Sequence, residues 1–394
     1  MSRREGAMAR TGLTIIFSGV VAGASRQGGA AWATLQYVLG FRELGHDVYL
    51  VEPVSAHSLE PPGTALGRSS NAAFFQHVVS DFGLQSRAAL VLVGTRDTVG
   101  LPYDRLQDAS RRAGLHVNVA GMLSDPELTE PIPVRVYLDL DPAFTQLWHD
   151  VEGVDMGFSG HNRFVTVGQA IGTERCRVPT CGLPWNTTHQ PVSLPHWPPA
   201  ERVVHDAFTT VGNWRSYGPI EHDGVRYGQK VHSLRSLLDL PSRTDQRFLL
   251  AMAIDPGDAQ DLARLAENGW SVIDPSDVAG TPGAYRRFVQ GSKAELGISK
   301  SGYVVSRCGW FSDRSVCYLA SGRPVVAQDT GFGDALPTGE GLFAFATVDD
   351  VVGAVEEIDR NYERHSRAAR RIAEEHFAAP VLLTRLLESV GAEP

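Results

Sequence analysis

The segment GWFSDRSVCYLASGRPVV, which starts at residue 309, places an arginine in the first turn of a predicted helix. Ser312 or Asp313 is a good N-cap, and apolar residues follow at helical spacing. A cation so placed is unfavourable by roughly 0.3–1 kcal/mol, because the helix dipole is positive at this end. Arg314 is therefore better explained if a phosphate lies in front of the helix, where free backbone N–H groups also favour an anion. The alternative is an ion pair with a carboxylate such as Asp313 or Asp334.

Two acids and one histidine are further candidates for chemistry. Asp139 and Asp141 end a predicted strand in VRVYLDLDP, where the simpler interpretation is that they cap a helix beginning at Pro142. His161 stands in FSGHN after a predicted strand end, and imidazole can take a proton near neutral pH. A lone histidine is more often a hydrogen-bonded loop residue.

A glycine-rich loop, GVVAGASRQGG, follows the first predicted strand, and Glu52 ends the second. This combination is found in dinucleotide sites of dehydrogenases, but the glycines of this loop do not form G-x-G-x-x-G. Gly23, Ser25, Arg26 and Gln27 are the residues of the loop that we expect to contact an acceptor or a phosphate.

Composition excludes several classes of protein. The 394 residues are 43% hydrophobic and carry a net charge of −9 without a long basic run, so we expect no nucleic-acid partner. Cys176 and Cys181 could form a zinc site with His189 and His196, but their spacing matches no standard pattern. Four cysteines in so long a chain indicate a reducing compartment, and we expect a cytoplasmic protein without a bound metal.

The N-terminus imitates a signal peptide, with arginines at positions 3, 4 and 10 before LTIIFSGVVAGA. We reject that interpretation because residues 13–17 are better used as the first strand, from which the following helix and strand would wind. No apolar run is long enough to span a bilayer.

Strands and helices alternate along most of the chain, which indicates an α/β fold whose binding sites lie at the carboxyl ends of parallel strands. Residues 182–199 are rich in proline and poor in periodicity, as in a linker. We therefore expect one α/β domain over residues 1–190, a linker over 191–203 and a second α/β domain over 204–394. In the second domain, strands are predicted at residues 248–253, 271–273, 303–306 and 324–327, with a helix at 229–238.

The sequence resembles the GT-B glycosyltransferases in two places. The strand, the helix and the segment ASGRPVV before residue 331 resemble their nucleotide-sugar donor segment, and GVVAGASRQGG with ELGHDVYLVEP resembles the opening of their acceptor domain. The resemblance implies two Rossmann-like parallel-sheet domains that face a central cleft. It also implies transfer of a sugar from a nucleoside diphosphate sugar, as co-substrate, to an acceptor hydroxyl, with no metal and no tightly bound cofactor.

The resemblance further implies a donor site in the second domain. Arg314 corresponds most plausibly to the family's diphosphate-binding cation, with Arg215 or Lys230 beside it. No glutamate stands where many members bind the ribose, so Asp313 or Asp329 is left for that role. Trp310 could stack on a base or sugar. The donor-binding residues expected on this basis are Arg215, Lys230, Trp310, Ser312, Asp313, Arg314, Ser315, Asp329 and Thr330.

Asp139 and Asp141 also resemble the D-x-D metal motif of the GT-A glycosyltransferases. Their position argues against that family, because a GT-A chain would need no second domain with an anion-ready helix. Inverting chemistry in a GT-B enzyme would need a general base near the acceptor, and Asp141 or His161 could supply it. The alternative function is that of a nucleotide-sugar epimerase, or a binding protein for nucleotide sugars or glycans, with the same fold.

Overall fold

The computed structural model describes residues 12–392. The three arginines of the signal-like segment, at positions 3, 4 and 10, lie outside the described residues. The apolar residues that follow them form a strand, as predicted, and this strand lies in the middle of the first of two sheets.

Eight strands of the described residues form the first sheet. They are β1 (Thr14–Ser18), β2 (Asp47–Val54), β3 (Ala88–Leu92), β4 (Thr98–Gly100), β5 (Leu115–Val119), β6 (Val134–Asp139), β7 (Arg163–Thr166) and β8 (Trp185–Thr187). Their order is β4-β3-β2-β1-β5-β6-β7-β8, and all neighbours pair in parallel except β3 and β4. The helices of this part are α1 (Gly28–Glu43), α2 (Ser70–Asp81), α3 (Tyr103–Arg112), α4 (Pro126–Thr129) and α5 (Phe144–Asp150).

A second sheet and a small hairpin follow. The strands are β9 (His205–Asn213), β10 (Ile220–His222), β11 (Val225–Tyr227), β12 (Phe248–Ala253), β13 (Ser271–Ile273), β14 (Ser292–Gly297), β15 (Val325–Gln328) and β16 (Leu342–Phe345). β10 and β11 form the hairpin, and the others form a parallel sheet in the order β13-β12-β9-β14-β15-β16. The helices are α6 (Lys230–Leu234), α7 (Ala259–Glu267), α8 (Pro275–Ala279), α9 (Pro282–Gly291), α10 (Ser301–Ser306), α11 (Asp313–Ala320), α12 (Val348–Arg360), α13 (Tyr362–His376) and α14 (Ala379–Val390).

The central strands are buried along nearly their whole length, as expected of parallel sheets with helices on both faces. β1 reads TIIFS and β3 reads AALVL, and their apolar residues are almost fully buried. The alternation of strands and helices therefore predicted the fold class correctly: the chain is α/β, with two parallel sheets.

One strand was predicted in the wrong place. Residues 303–306 form helix α10, whereas the strand is β14, with the sequence SKAELG. A short apolar run, here Tyr-Val-Val before Ser306, does not distinguish a strand from a buried helix turn. β14 escaped prediction because it carries Lys293 and Glu295, both buried, and each is compensated by a partner distant in sequence.

The segment expected to be a linker is anchored rather than loose. Trp197 is fully buried and packs against Trp32 of α1 with ring centroids 5.0 Å apart. The Val192 N–H donates to the Phe377 carbonyl over 2.8 Å, and helix α14 then packs on α1 of the first part. The division at residues 191–203 stays a prediction. Helix α14, which follows this segment in the chain, nevertheless packs against α1 of the first part.

Helices α1 and α14 meet at a glycine. A methyl group at Gly40 would lie 2.6 Å from the Ala379 Cβ, so Gly40→Ala should lower the free energy of unfolding by about 1–3 kcal/mol through overpacking. Gly353, an exposed glycine inside α12 with open space around it, is the matched control. Gly353→Ala should raise that free energy by about 0.5–1 kcal/mol, because alanine favours helix. Urea denaturation measures both, and equal effects of the two substitutions would contradict this helix contact.

Candidate functional site

The carboxyl ends of the second sheet's strands face the loop between β1 and α1 across two adjoining cavities. The larger cavity has a volume of about 450 Å³ and the smaller about 220 Å³. They share Gly212 and Asn213 at the end of β9 and Asp313 and Arg314 at the start of α11. Together they form the cleft at which the site is built.

Helix α11 presents its first turn to both cavities. The Ser312 side chain accepts a hydrogen bond from the Arg314 N–H over 3.2 Å, which confirms a cap at this position. Asp313, the first helical residue, faces the cleft, and its burial raises its pKa. The predicted helix start is therefore present, and it points into the cleft.

Arg314 is buried and paired with a carboxylate that the sequence did not suggest. Its Nε donates to Glu295 Oε1 over 2.5 Å, and its Nη1 donates to the Val211 carbonyl over 3.1 Å. The proposed partners Asp313 and Asp334 are not the ones used; Asp334 instead pairs with an exposed arginine of the first part. The charge of Arg314 is thus compensated within the protein, although the residue still lines both cavities.

Lys230, the first residue of α6, is the least compensated cation of the smaller cavity. Within residues 12–392 its ammonium makes no hydrogen bond or ion pair, and a methyl group at Gly212 would lie 2.6 Å from its Nζ. Burial, together with the nearby charges of Arg314 and Lys300, holds its pKa well below the ordinary value. An anion bound in this cavity would oppose both of these effects on the pKa of Lys230.

Two further donors of the smaller cavity have no partner. Among the described residues, no acceptor contacts the buried Gln229 Nε2 or the Trp310 Nε1. The Trp310 ring stacks on Tyr303 with centroids 4.3 Å apart. Buried polar groups are rarely left unpaired, so these N–H groups indicate a ligand rich in acceptors.

Arg215 does not join this group. It forms a bidentate pair with Asp258 over 2.8 and 3.0 Å and lines neither cavity. The start of α7 brings Asp258 to this guanidinium, which the sequence could not show. Of the two alternatives for a second donor-binding cation, the structure brings Lys230 to the cleft.

Three of the predicted donor-binding residues are buried or hydrogen-bonded within the second part of the chain. The Thr330 hydroxyl donates to the Trp310 carbonyl over 2.5 Å, and Asp329 accepts from the Gly331 N–H over 2.8 Å. Ser315 is buried inside α11. None of the three lines either cavity, and their contact with a donor stays a prediction.

The glycine-rich loop reaches the cleft through its last residues. Ser25, Arg26 and Gln27 line the larger cavity opposite the second sheet. Gly23 does not line it: its N–H donates to the buried Glu52 carboxylate over 2.7 Å, and the preceding N–H donates to the same carboxylate. Glu52 thus holds the loop, and its burial raises its pKa to about 7.

The two acids at the carboxyl end of β6, Asp139 and Asp141, have different roles. Asp139 is buried and accepts from the Thr145 and Thr166 hydroxyls and from the Gln146 amide, so its oxygens are satisfied within the first part. Asp141 instead accepts hydrogen bonds from side chains of the second part of the chain. It does not cap α5, whose N-cap is residue 143.

Asp141 lies at the centre of a junction between the two parts of the chain. Its oxygens accept from Lys300 Nζ over 2.9 and 3.0 Å, from the Tyr217 hydroxyl over 2.7 Å and from the Tyr303 hydroxyl. Lys300 was not found from the sequence, because a single lysine after an unrecognised strand gives no signal. It also lines the smaller cavity.

His161 is not at a strand end. It precedes β7, its Nδ1 lies 2.9 Å from the Gly157 carbonyl and its Nε2 lies 3.0 Å from the Asn118 amide nitrogen. Its ring packs on Tyr137, and burial lowers its pKa. The expectation that His161 follows a strand end was wrong, because the nearest strand begins after it. The residue lines neither cavity, and its role as a base stays a prediction.

Residues 12–392 hold no group of three or more His, Cys, Asp or Glu side chains that could bind a metal ion, and the four cysteines are free thiols. The helices described there include none that is both long and apolar enough to cross a membrane.

Solved structures of glycosyltransferases share this architecture. HepE from Anabaena in complex with UDP-glucose has a TM-score of 0.57 at 12% identity, over 96% of this chain and 99% of that one. An alpha-glucosyltransferase in complex with UDP-glucose and DNA containing an abasic site has a TM-score of 0.62 at 10% identity, over 96% and 98%. A glycosyltransferase from Rickettsia africae has a TM-score of 0.51 at 10% identity, over 95% and 97%. No protein-family model and no curated protein matches the chain.

The chain has the GT-B fold. The two Rossmann-like sheets implied by the sequence resemblance are thereby confirmed. Because one structure with this fold holds DNA, the expectation that nucleic acid is excluded as a partner is not supported.

The burial of Arg314 predicts a large effect on stability. Arg314→Ala would leave Glu295 ionised without a partner inside the protein, so the free energy of unfolding should fall by about 3–5 kcal/mol. Arg215→Ala is the matched control, because it breaks a more exposed ion pair that contributes less than about 1 kcal/mol. Thermal and urea denaturation of both variants measure the difference. A loss of stability for Arg314→Ala as small as that for Arg215→Ala would contradict the buried pair.

Glu52 predicts a dependence of stability on pH. Its folded carboxyl, with a pKa of about 7 against an ordinary 4.5, binds a proton more tightly than the unfolded one. Its contribution to the free energy of unfolding should therefore fall by about 3 kcal/mol as the pH rises from about 4.5 to 7. Glu52→Gln removes this titration, so denaturation across that pH range should give a flatter profile for the variant. Parallel profiles would show that Glu52 titrates normally.

Proposed function

We propose that the protein is a glycosyltransferase that moves a hexose from a nucleoside diphosphate hexose to an acceptor hydroxyl. In this reaction the bond between the anomeric carbon and the phosphate oxygen breaks, and the anomeric carbon bonds to the acceptor oxygen. The acceptor loses its proton and the nucleoside diphosphate leaves. The supporting observation is the smaller cavity, which is lined by Lys230 and by two residues, Gln229 and Trp310, whose buried N–H groups have no hydrogen-bond partner within residues 12–392.

The diphosphate fits the smaller cavity by charge. Lys230 supplies an amino group that forms no ion pair within residues 12–392 and that a bound anion would keep protonated, Gln229 and Trp310 supply N–H groups, and the N-terminus of α11 adds a favourable dipole. A diphosphate offers only acceptor oxygens, so it would satisfy these donors together. The cations of the chain then compensate the charge of the leaving group, and we expect turnover to persist in EDTA.

The nucleoside fits the larger cavity, whose volume of about 450 Å³ is within the common range of ligand sites. Asp313 lies where the two cavities meet, so we assign to it, rather than to Asp329, the ribose hydroxyls. Ser25, Arg26 and Gln27 close this cavity from the first part, next to the acceptor side.

Neither of the two bases suggested by the sequence lines a cavity, but Asp141 contacts Lys300, which lines the smaller one, and His161 has no such contact. Asp141 therefore keeps the proposed role on the acceptor side. The bound UDP and UDP-glucose of the neighbouring structures favour UDP-glucose as the first donor to test. DNA belongs among the acceptors to be tested, since one neighbour is in complex with it.

An epimerase or a binding protein is distinguished by its products. A glycosyltransferase releases free UDP from UDP-glucose in quantity only when an acceptor is added. An epimerase converts the sugar without net release of UDP, and a binding protein does neither. Screening sugar, lipid, small-molecule and DNA acceptors for acceptor-dependent UDP release tests the assignment, and conversion of the sugar without UDP release would replace it.

The first variant to test is Lys230→Met, which keeps the length of the side chain and removes its charge. A lost charge-assisted hydrogen bond of about 1.5–3 kcal/mol should weaken UDP binding roughly 10- to 150-fold by calorimetry. Lys293→Met is the control, because Lys293 is a partly buried lysine at the amino end of β14, paired with Asp359 and outside the cleft. Equal UDP affinities for parent and Lys230→Met would remove Lys230 from the donor site.

A further inference from the structure

We propose that Lys300 is a second cation for the donor diphosphate, and that Asp141 competes with the diphosphate for it. The inference rests on the proposed function. On this proposal, donor binding in the second part of the chain breaks the contact of Lys300 with Asp141, a carboxylate of the first part.

Lys300 belongs to the cleft wall and to the interdomain junction at once. It follows β14 and is the N-cap residue of α10, and its side chain lines the smaller cavity together with Lys230 and Arg314. The same ammonium contacts both oxygens of Asp141, which follows β6 of the other sheet.

The surroundings of Lys300 hold its ammonium in a fixed place. The rings of Tyr217, Phe144 and Tyr303 lie around it, with centroids 4.3, 5.1 and 5.2 Å from Nζ. Aromatic faces attract a cation without consuming its N–H groups, so the ring cage fixes the position of the charge and leaves its hydrogen bonds exchangeable.

All the hydrogen-bonding capacity of Lys300 is in use. An ammonium has three N–H donors. In this structure they go to the two oxygens of Asp141 and to the Tyr217 hydroxyl. A phosphate oxygen can therefore bind Lys300 only by displacing one of these acceptors, and the negative charge of Asp141 repels the incoming phosphate as well.

Asp141 keeps two hydrogen-bond donors when it loses its contact with Lys300. The hydroxyls of Tyr217 and Tyr303 both donate to its oxygens and can continue to do so. The exchange of a carboxylate for a phosphate on one ammonium is therefore feasible, and it frees lone pairs of Asp141 on the acceptor side of the cleft.

The test is calorimetric titration of UDP and of uridine, which lacks the phosphates, into four proteins. These are the parent, Lys300→Met, Asp141→Asn and the control Lys293→Met. Lys300→Met should weaken UDP binding about 10-fold or more and leave uridine binding unchanged, because only the phosphates lose a partner. Asp141→Asn should tighten UDP binding about 3- to 10-fold, because it removes the competing charge. Lys293→Met should match the parent.

The sign of the Asp141→Asn effect protects the test from a folding defect, since a damaged protein does not bind more tightly. Weaker UDP binding by Asp141→Asn would overturn the competition. Equal loss of UDP and uridine binding by Lys300→Met would assign Lys300 a structural role only. Binding of UDP that depends on Lys230 but not on Lys300 would overturn this inference alone, whereas failure of the parent to bind any nucleoside diphosphate would overturn the proposed function with it.

Discussion

The buried ion pair of Glu295 and Arg314 fixes one wall of the cleft. Glu295 lies on β14 in the interior of the second sheet, where an ionised carboxylate is costly unless a cation is held against it. Arg314 supplies that cation and also donates to the carbonyl of Val211 on β9. The first turn of α11 is therefore tied to two strands at their carboxyl ends, which is where parallel sheets bind ligands.

This pairing explains how an arginine is accommodated at the positive end of a helix. The carboxylate of Glu295 offsets the unfavourable interaction with the dipole, so no external anion is needed to keep Arg314 in place. The functional charge of the cleft is then carried by cations with weaker or no compensation. Lys230 forms no ion pair within residues 12–392, and Lys300 is paired with Asp141 of the first part. Arg314 therefore stabilises the wall of the cleft, whereas Lys230 and Lys300 are the cations that a ligand can bind.

Local patterns predicted the elements of the fold well, and long-range pairs decided the site. The alternation of strands and helices, and the cap at Ser312, depend on neighbouring residues and were visible in the sequence. The strand β14 was missed because its two charged residues, Lys293 and Glu295, are compensated by partners far along the chain. The same limitation hid the pairing of Arg215 with Asp258 and the position of Lys300. Lys230 could be named beforehand only through family resemblance.

The two sides of the cleft are joined in physically different ways at its two ends. At the larger cavity, a methyl group at Gly28 would lie 2.2 Å from the Thr281 carbonyl oxygen, and the Trp32 indole donates to the Pro282 carbonyl over 2.9 Å. This close contact of α1 with α9 beside the cavity fixes the spacing of the cavity walls. At the smaller cavity, Asp141 joins the two parts through hydrogen bonds that a polar ligand can exchange. A ligand that changes the relation between the two sheets must therefore act at the end of the cleft where Lys230 and Lys300 lie.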